Sequence, residues 1–133
     1  MLGEQFSDER GQVTARRVLP SETGPKIEIS FEASGTTLGQ SHQNMGTYVS
    51  TPRPDGSIFG DGQGLIMTTD GDMVAWKGQG VGHFIRPGAV AYRGAIYFEG
   101  GTGKLAPLNG TCGVYEYGSD EGGKTESTLW EWK

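Results

Sequence analysis

The feature that most constrains the fold is a pair of glycine ladders in the segment "FGDGQGLIMTTDGDMVAWKGQGVGHF", which runs from Phe59 to Phe84. Glycine occupies every second position in each ladder, at Gly60, Gly62 and Gly64 and again at Gly78, Gly80 and Gly82. Residues two apart share one face of a β-strand. Because Asp-Gly is a common hairpin turn, Asp70-Gly71 between the ladders predicts two paired strands.

Glycine-rich loops also bind phosphates, which would make the ladders a nucleotide site. A dinucleotide fingerprint reads G-x-G-x-x-G and leads into a helix, whereas "GDGQGL" and "GQGVGH" read G-x-G-x-G and continue as strands. A Walker loop reads G-x-x-x-x-G-K-[ST]. In "FEGGTGKL", Phe98 and Leu105 stand where that motif needs glycine and a hydroxyl. Neither motif is present, so these loops predict no nucleotide cofactor.

Alternating segments separated by turn residues recur along the whole chain, the pattern typical of a sandwich or barrel. Strands are predicted at residues 12–19, 26–35, 46–53, 57–68, 73–84, 89–99, 110–118 and 125–132. Longer connections are predicted only at Thr36–Met45 and Gly100–Asn109. Because closure removes exposed strand edges, we predict a single domain over residues 1–133, an all-β, antiparallel closed barrel of about eight strands.

Charge and composition exclude several classes of protein. The net charge is -5 and no cationic cluster exceeds the pair Arg16-Arg17, whereas nucleic-acid binding needs a basic surface. No apolar run reaches the ~20 residues that span a bilayer, and the acidic N-terminus does not resemble a signal peptide. A lone cysteine, Cys112, fits a reducing compartment. We therefore expect a cytoplasmic protein with no nucleic-acid or membrane partner.

The turn between the ladders determines which residues share a face. A two-residue turn would place Phe59, Asp61 and Gln63 opposite Gly82, Gly80 and Gly78, whereas a three-residue loop would swap the faces. Counting onward through Pro54-Asp55-Gly56 and Pro87-Gly88 gives a face with Tyr48, Ser50, Asp61, Gln63, Leu65, Met67, Val74, Trp76, Arg93, Tyr97 and Glu99. The ligand-binding residues predicted from this face are Tyr48, Asp61, Gln63, Trp76, Arg93, Tyr97 and Glu99. Which face lines the interior stays open, since the other face of the sixth strand, with Val90, Tyr92, Ile96 and Phe98, is more apolar.

Few residues offer metal or acid–base chemistry. His42 and His83 are the only histidines and have no ligand at metal spacing, so we expect surface or loop positions and no metal site. Cys112 is expected to be a small buried residue. Asp61 and Glu99 lie within strands beside apolar residues or glycine. Facing inward they could act as general acid or base; facing outward they would meet solvent or a cationic side chain.

The run "YRGAIYFEGGTGKLAPLNGTCGVYEY" resembles the strand, "GTGKL" turn and strand of allene oxide cyclase-like and dirigent-like barrels. The span from "NMGTYVSTPRPDGSIFG" to the closing "LWEWK" is also similar to a family of small uncharacterised prokaryotic proteins. The resemblance implies an eight-stranded, calycin-like barrel, often with an apolar cavity and usually oligomeric, with trimers among the plant relatives. It implies no catalytic residue, because the plant cyclases' active-site pattern and the dirigent proteins' paired aspartates have no counterpart here.

Three functions remain open at this point. The first is a barrel that binds a small apolar or aromatic molecule in its cavity, without a cofactor. The second is a cavity enzyme of the cyclase or isomerase type that uses Asp61 or Glu99. The third is a structural homo-oligomer, a dimer or trimer, in which Trp130 and Trp132 close the barrel or lie at the subunit interface.

Overall fold

The chain folds into a closed antiparallel barrel. The computed structural model describes residues 1–22 and 24–133. The strands are β1 (Leu2–Leu19), β2 (Lys26–Thr37), β3 (Gln40–Pro52), β4 (Ile58–Thr68), β5 (Met73–Arg86), β6 (Ala89–Glu99), β7 (Cys112–Ser119) and β8 (Lys124–Trp132). Each strand pairs with the next, and β8 pairs with β1 to close the barrel. The predicted fold class, an all-β barrel of eight antiparallel strands, is confirmed.

Two strands begin earlier than predicted. β1 starts at Leu2 rather than at residue 12, and β3 starts at Gln40 rather than at residue 46. The predicted long connection Thr36–Met45 is therefore wrong. A two-residue turn joins β2 to β3, with positive φ angles of 51° at Leu38 and 77° at Gly39. This geometry suits the twist of a hairpin, but a leucine with positive φ is rare, so the sequence does not show this turn.

The three predicted glycine turns are confirmed, because Gly56, Gly71 and Gly88 have φ angles of 88°, 92° and 81°. The register predicted from the middle turn is wrong. The Thr68 amide donates to the Asp72 carbonyl at 2.8 Å, which leaves a loop of three residues rather than two.

Glycine therefore faces glycine across the ladders. Gly60 pairs with Gly80, and Gly62 pairs with Gly78. The larger residues Phe59, Asp61 and Gln63, predicted to lie opposite glycines, pair instead with Val81, Gln79 and Lys77. The odd loop length swaps the two faces, as expected for a side-chain period of two.

A second register change lies between β5 and β6. Arg86 pairs with Ala89 directly at the turn, but Phe84 pairs with Val90, so Ile85 is an extra residue on β5. Such a bulge moves every later residue of the pairing to the other face. As a result Tyr92 lies on the same face as the ladders, opposite Gly82. The inner face of β6 is the apolar one, with Tyr92, Ile96 and Phe98 all buried.

One end of the barrel is closed by the connection between β6 and β7, a 3₁₀ helix at Gly103–Gly110. Its side chains Leu105 and Leu108 are 0% and 2% exposed and belong to the same apolar core as Val74 and Phe98. This packing fills the end of the barrel and leaves any internal space nearer its middle. In the part of the chain that the structure describes, no helix has the length and apolar character needed to cross a bilayer.

Candidate functional site

The six ladder glycines form a wall without side chains, and aromatic rings occupy part of the space in front of it. A Cβ atom at Gly60 or Gly82 would lie 2.9 or 2.7 Å from the ring of Tyr92. At Gly64 it would overlap the indole of Trp76, and at Gly80 the hydroxyl of Tyr115. Gly78 differs, because its nearest neighbour would be 3.4 Å away. The ladders thus admit rings that a normal strand would exclude.

These rings form one connected cluster in the barrel interior. The ring centroids of Tyr48 and Tyr117 lie 5.5 Å apart at an interplanar angle of 80°, and those of Phe31 and Tyr117 lie 5.6 Å apart. Tyr92 and Trp76 extend the cluster through contacts of 5.8 Å with Tyr48 and 6.4 Å with Phe31. Edge and tilted contacts of this kind are the preferred geometry of aromatic pairs.

A cavity of about 70 Å³ lies between the aromatic cluster and the glycine wall. Its aromatic lining consists of Phe31, Tyr48, Trp76, Tyr92, Tyr115 and Tyr117, and Gly60, Gly62 and Gly78 form part of the facing wall. Its lining also includes the polar side chains of Glu9, Asn44 and Ser127. The lining is therefore aromatic and apolar with a small polar region, the usual composition of a small-molecule pocket.

The tyrosine hydroxyls of this cavity are neutral hydrogen-bonding groups. Burial raises the pKa of Tyr115 to about 12 and also raises the pKa of Tyr48, Tyr92 and Tyr117 above the ordinary value for tyrosine. Tyr117 donates a hydrogen bond to the Tyr48 hydroxyl at 3.2 Å. At neutral pH each of these phenols keeps its proton and can act as a donor.

A chain of buried hydrogen bonds begins at Ser7 and ends at Glu9. The hydroxyls of Ser7 and Thr37 are 2.8 Å apart, and Thr37 Oγ1 lies 2.9 Å from Nδ1 of His42. Nε2 of His42 then lies 2.9 Å from Oε1 of Glu9. The side chains of His42 and Glu9 are 0% and 6% exposed. A histidine and a carboxylate are thus held in contact, away from bulk water.

Asn44 and Trp76 hold the Glu9 carboxylate from the other side. Nδ2 of Asn44 donates to Oε1 and Oε2 of Glu9 at 3.1 and 3.0 Å. Trp76 Nε1 donates to Oδ1 of Asn44 at 2.8 Å. Because an indole nitrogen can only donate, this bond determines which way the amide of Asn44 points. Among the residues that the structure describes, every fully buried side-chain nitrogen or oxygen has a partner.

The strand register explains how Glu9 and His42 meet across an intervening strand. Glu9 on β1 pairs with Gly35 on β2, and Gly35 pairs with His42 on β3. Gly35 has no side chain, so the two polar side chains approach each other over it. A Cβ atom at Gly35 would clash with the backbone of Asp8 and Glu9. The glycine is therefore required for the packing of β1 against β2.

The predicted ligand-binding residues divide between the two faces. Tyr48 and Trp76 line the cavity. The other five lie on the outer face, and all of them are exposed: Asp61, Gln63, Arg93, Tyr97 and Glu99. The prediction that all seven share a face is wrong, because odd loop lengths and the bulge at Ile85 swap the faces. A role of the outer five in ligand binding stays a prediction.

The predicted positions of two other residues are also corrected. His42, predicted at the surface or in a loop, is 3% exposed and lies within β3. Cys112, predicted to be buried, is half-buried. Asp61 and Glu99, the candidate acids or bases, do not line the cavity. Glu99 is 73% exposed and lies 3.9 Å from the ammonium group of Lys77.

Sequence reasoning missed Glu9 and Asn44 because β1 and β3 were predicted too short at this end. One signal was present: His42 and Asn44 are two residues apart, the spacing that places both on one strand face. Over residues 1–22 and 24–133, no group of three His, Cys, Asp or Glu side chains is placed to hold a metal ion.

Comparisons with known proteins support the barrel fold and identify no family for this chain. No protein-family model matches the chain, and no curated protein matches it. A β-barrel-like protein from Acinetobacter baumannii is 16% identical with a TM-score of 0.82, over 100% of this chain and 96% of that one. A protein of unknown function from Clostridium acetobutylicum is 14% identical with a TM-score of 0.81, over 97% of both chains. A structure described as an enzyme from Penicillium herquei is 18% identical with a TM-score of 0.69, over 96% and 92%. At these identities the likeness shows the fold alone.

Proposed function

We propose that this protein binds a small, mainly apolar or aromatic molecule inside its barrel. The observation that carries the proposal is the cavity of about 70 Å³ between the aromatic cluster and the glycine wall. Protein interiors are normally packed without such voids. Here six inward positions are glycines, and a Cβ would fit at Gly78. A single methyl group at this position would reduce the cavity. Because the residue is glycine, the cavity stays open beside aromatic rings that could contact a ligand.

The size of the cavity limits the ligand. Drug-sized molecules occupy pockets of roughly 300–1,000 Å³, and an engineered apolar cavity of about 150 Å³ holds benzene. The cavity of about 70 Å³ is smaller than this, so we infer a ligand of one small ring, or one ring of a larger molecule, that displaces part of the lining as it enters. Tyr48, Tyr115 and Tyr117 are only half-buried, so these side chains can move outward when the ligand enters.

The lining also indicates where each part of the ligand would lie. Rings of Phe31 and Trp76 offer apolar contact, whereas Glu9 and Asn44 form the polar region of the cavity wall. A ligand with a polar group at one edge of a ring would place that edge against Glu9. Convergent polar groups in an apolar pocket are what orient a ligand.

Saturation-transfer NMR with phenol, indole and cyclopentanone as probes tests this proposal. We expect at least one probe to receive magnetisation from the protein and to raise its melting temperature. Replacing Gly78 by valine places two methyl groups in the cavity and should weaken binding at least about tenfold. The matched control is Gln79→Val, at the exposed neighbouring position on β5, which should bind as the wild type does. Equal binding by wild type and Gly78→Val would exclude the cavity as the binding site.

We also propose that the barrel forms a homo-oligomer, a dimer or trimer, in the cytoplasm. Support comes from the outer surface, where Ala95, Val114 and Trp130 lie in one row across β6, β7 and β8. Tyr97 and Trp132 beside them are 52% and 59% exposed. Apolar surface of this kind favours association. Light scattering should give a mass of two or three chains, and Tyr97→Glu should lower it; a monomeric wild type would contradict the proposal.

A likeness to allene oxide cyclase-like barrels remains part of the proposal. The closed barrel of eight antiparallel strands is consistent with it, and one protein of similar fold, from Penicillium herquei, is described as an enzyme. Fold alone does not determine activity. Catalysis by Asp61 or Glu99 in the cavity is not retained, because neither side chain reaches it.

A further inference from the structure

We propose that the barrel cavity is a proton-transfer site for small enolisable carbonyl compounds, with Glu9 as the base and Tyr115 as the donor to the carbonyl oxygen. The inference rests on the proposed binding of a small molecule in this cavity. It names both the chemical class of that molecule and the reaction that it undergoes.

Glu9 stands between the cavity and the buried hydrogen-bond chain. It lines the cavity, and His42 lies behind it with a side chain that is 0% exposed. Oε1 of Glu9 meets both His42 and Asn44, whereas Oε2 meets Asn44 alone. A carboxylate oxygen can accept about two hydrogen bonds. Oε2 therefore keeps an acceptor position, which makes it the atom able to take a proton from a bound molecule.

The groups behind Glu9 position it and can share its proton. His42 contacts Oε1 of Glu9 directly, and the chain of hydrogen bonds continues from His42 through Thr37 to Ser7. Asn44, oriented by Trp76, prevents the carboxylate from rotating. A buried carboxylate is costly unless donors compensate it. This one is hydrogen-bonded by His42 and Asn44 and faces the cavity, where a bound molecule could meet it.

Tyr115 supplies the second requirement, a neutral donor on the same cavity. Its side chain lines the cavity, and its hydroxyl makes no hydrogen bond with another described residue. The space for that hydroxyl exists because position 80 is glycine, where a Cβ would overlap it. With its pKa raised by burial to about 12, the phenol keeps its proton at neutral pH. It can therefore donate to a carbonyl oxygen on which negative charge develops.

The reaction balances without any cofactor. Oε2 of Glu9 takes a proton from a carbon next to the carbonyl group. The electron pair of that C–H bond forms a new C=C bond, and the carbonyl π electrons move to oxygen, which the Tyr115 hydroxyl stabilises. Protonated Glu9 then returns a proton to the same carbon or to another one of the conjugated system. The result is hydrogen exchange or isomerisation, with no net oxidation.

Proton exchange into cyclopentanone in deuterium oxide tests the inference directly. One-dimensional NMR follows the loss of the α-proton signals, and saturation transfer on the same sample measures binding. We expect the wild-type protein to exchange these protons faster than buffer does. Glu9→Gln should lower the protein-dependent rate at least about a hundredfold, in line with general-base catalysis, and Tyr115→Phe should lower it by a smaller factor. Asp61→Asn, at an exposed carboxylate outside the barrel, should leave the rate unchanged.

Each outcome has a distinct meaning. Cyclopentanone that binds without protein-dependent exchange would overturn the proton-transfer site but leave the proposed binding intact. If phenol or indole binds while cyclopentanone neither binds nor exchanges, only the proton-transfer site is overturned; if none of the three probes binds, both proposals are overturned. Exchange that persists in Glu9→Gln, with melting showing that this variant is folded, would exclude Glu9 as the base. If Glu9→Gln does not fold, Tyr115→Phe decides, because an unchanged rate in that variant would contradict the assigned donor.

Discussion

Two walls of the barrel interior border the same cavity, and they are built in opposite ways. The wall of β4 and β5 has glycine at six inward positions and contributes space. The wall of β1 to β3 contributes side chains, which hold each other through the hydrogen bonds around Glu9 and His42. One wall is constrained by steric contacts and the other by hydrogen bonding. Substitutions on the two walls should therefore fail for different reasons, and their effects can be ranked.

The largest effect is expected on the polar wall. His42→Leu removes the partner of both Glu9 and Thr37, leaving a buried carboxylate with one fewer donor. Breaking such a buried pair costs about 4 kcal/mol, so urea unfolding should show a loss of about that size. Gln43→Leu, at the exposed neighbouring position, should change stability by less than about 0.5 kcal/mol. Similar losses in the two variants would show that the hydrogen-bond chain contributes little.

The glycine wall should be sensitive at one position and tolerant at another. A methyl group at Gly64 overlaps the Trp76 indole and lies 2.5 Å from the Met45 carbonyl oxygen, so Gly64→Ala should cost about 3 kcal/mol, near the upper end for overpacking. A Cβ atom at Gly78 would lie 3.4 Å from its nearest neighbouring atom. Gly78→Ala should stay within about 1 kcal/mol of wild type, because alanine also lowers the entropy of the unfolded chain. Thermal unfolding of the two variants measures the difference. Equal losses of stability would mean that the space around each glycine does not determine how well this wall tolerates a side chain.

Trp76 joins the two walls, and its nitrogen should matter separately from its ring. Trp76→Phe keeps an aromatic ring but leaves Oδ1 of Asn44 without its donor. An unsatisfied buried acceptor costs about 2 kcal/mol. Trp130→Phe, at a half-buried outer position, serves as the control for loss of ring size. The free energies of unfolding of the two variants measure the difference. Equal losses would contradict a separate role for the indole nitrogen of Trp76.

Alkaline pH should weaken the tyrosine cluster between the walls. The pKa of Tyr115 is about 12 in the folded protein, raised by burial, against ~10 in an unfolded chain. Below pH 10 both states hold the proton and stability is unaffected. From pH 10 to about pH 12 the unfolded state loses the proton first, so stability falls by up to about 1.4 kcal/mol per pH unit for this residue.

Urea midpoints between pH 9 and pH 12 measure this dependence. Tyr115→Phe should show a shallower decline than wild type, because it lacks one of the shifted groups. Tyr97→Phe provides the control, since that tyrosine is 52% exposed on the outer face. A steeper decline in Tyr115→Phe would contradict the assigned cause.

Much of the architecture could be predicted from local signals. Alternating segments and glycine-containing turns were enough to predict about eight antiparallel strands. The inward and outward sets were not predictable, because they depend on whether each loop has an odd or even number of residues. The loop before Asp72 and the extra residue Ile85 each shift the register by one. A shift of one residue exchanges the faces of the rest of the strand.

The candidate site was predictable only in part. Tyr48 and Trp76 line the cavity as aromatic residues on predicted strands. Glu9 could not be found, since its partner His42 is 33 residues away and reaches it over Gly35 on a third strand. Polar residues spread over three strands have no shared spacing in the sequence.

By itself the sequence determined that this chain forms a glycine-rich antiparallel barrel, because period-two alternation and turn chemistry act between near neighbours. Only the tertiary structure decided what the glycine ladders are for. The β5–β6 register and the curvature of the closed sheet bring the rings of Tyr92, Tyr115 and Trp76 in front of them. Closure of β8 onto β1 places Glu9 beside that space. Both results depend on register summed around the whole barrel, a long-range quantity that no local pattern contains.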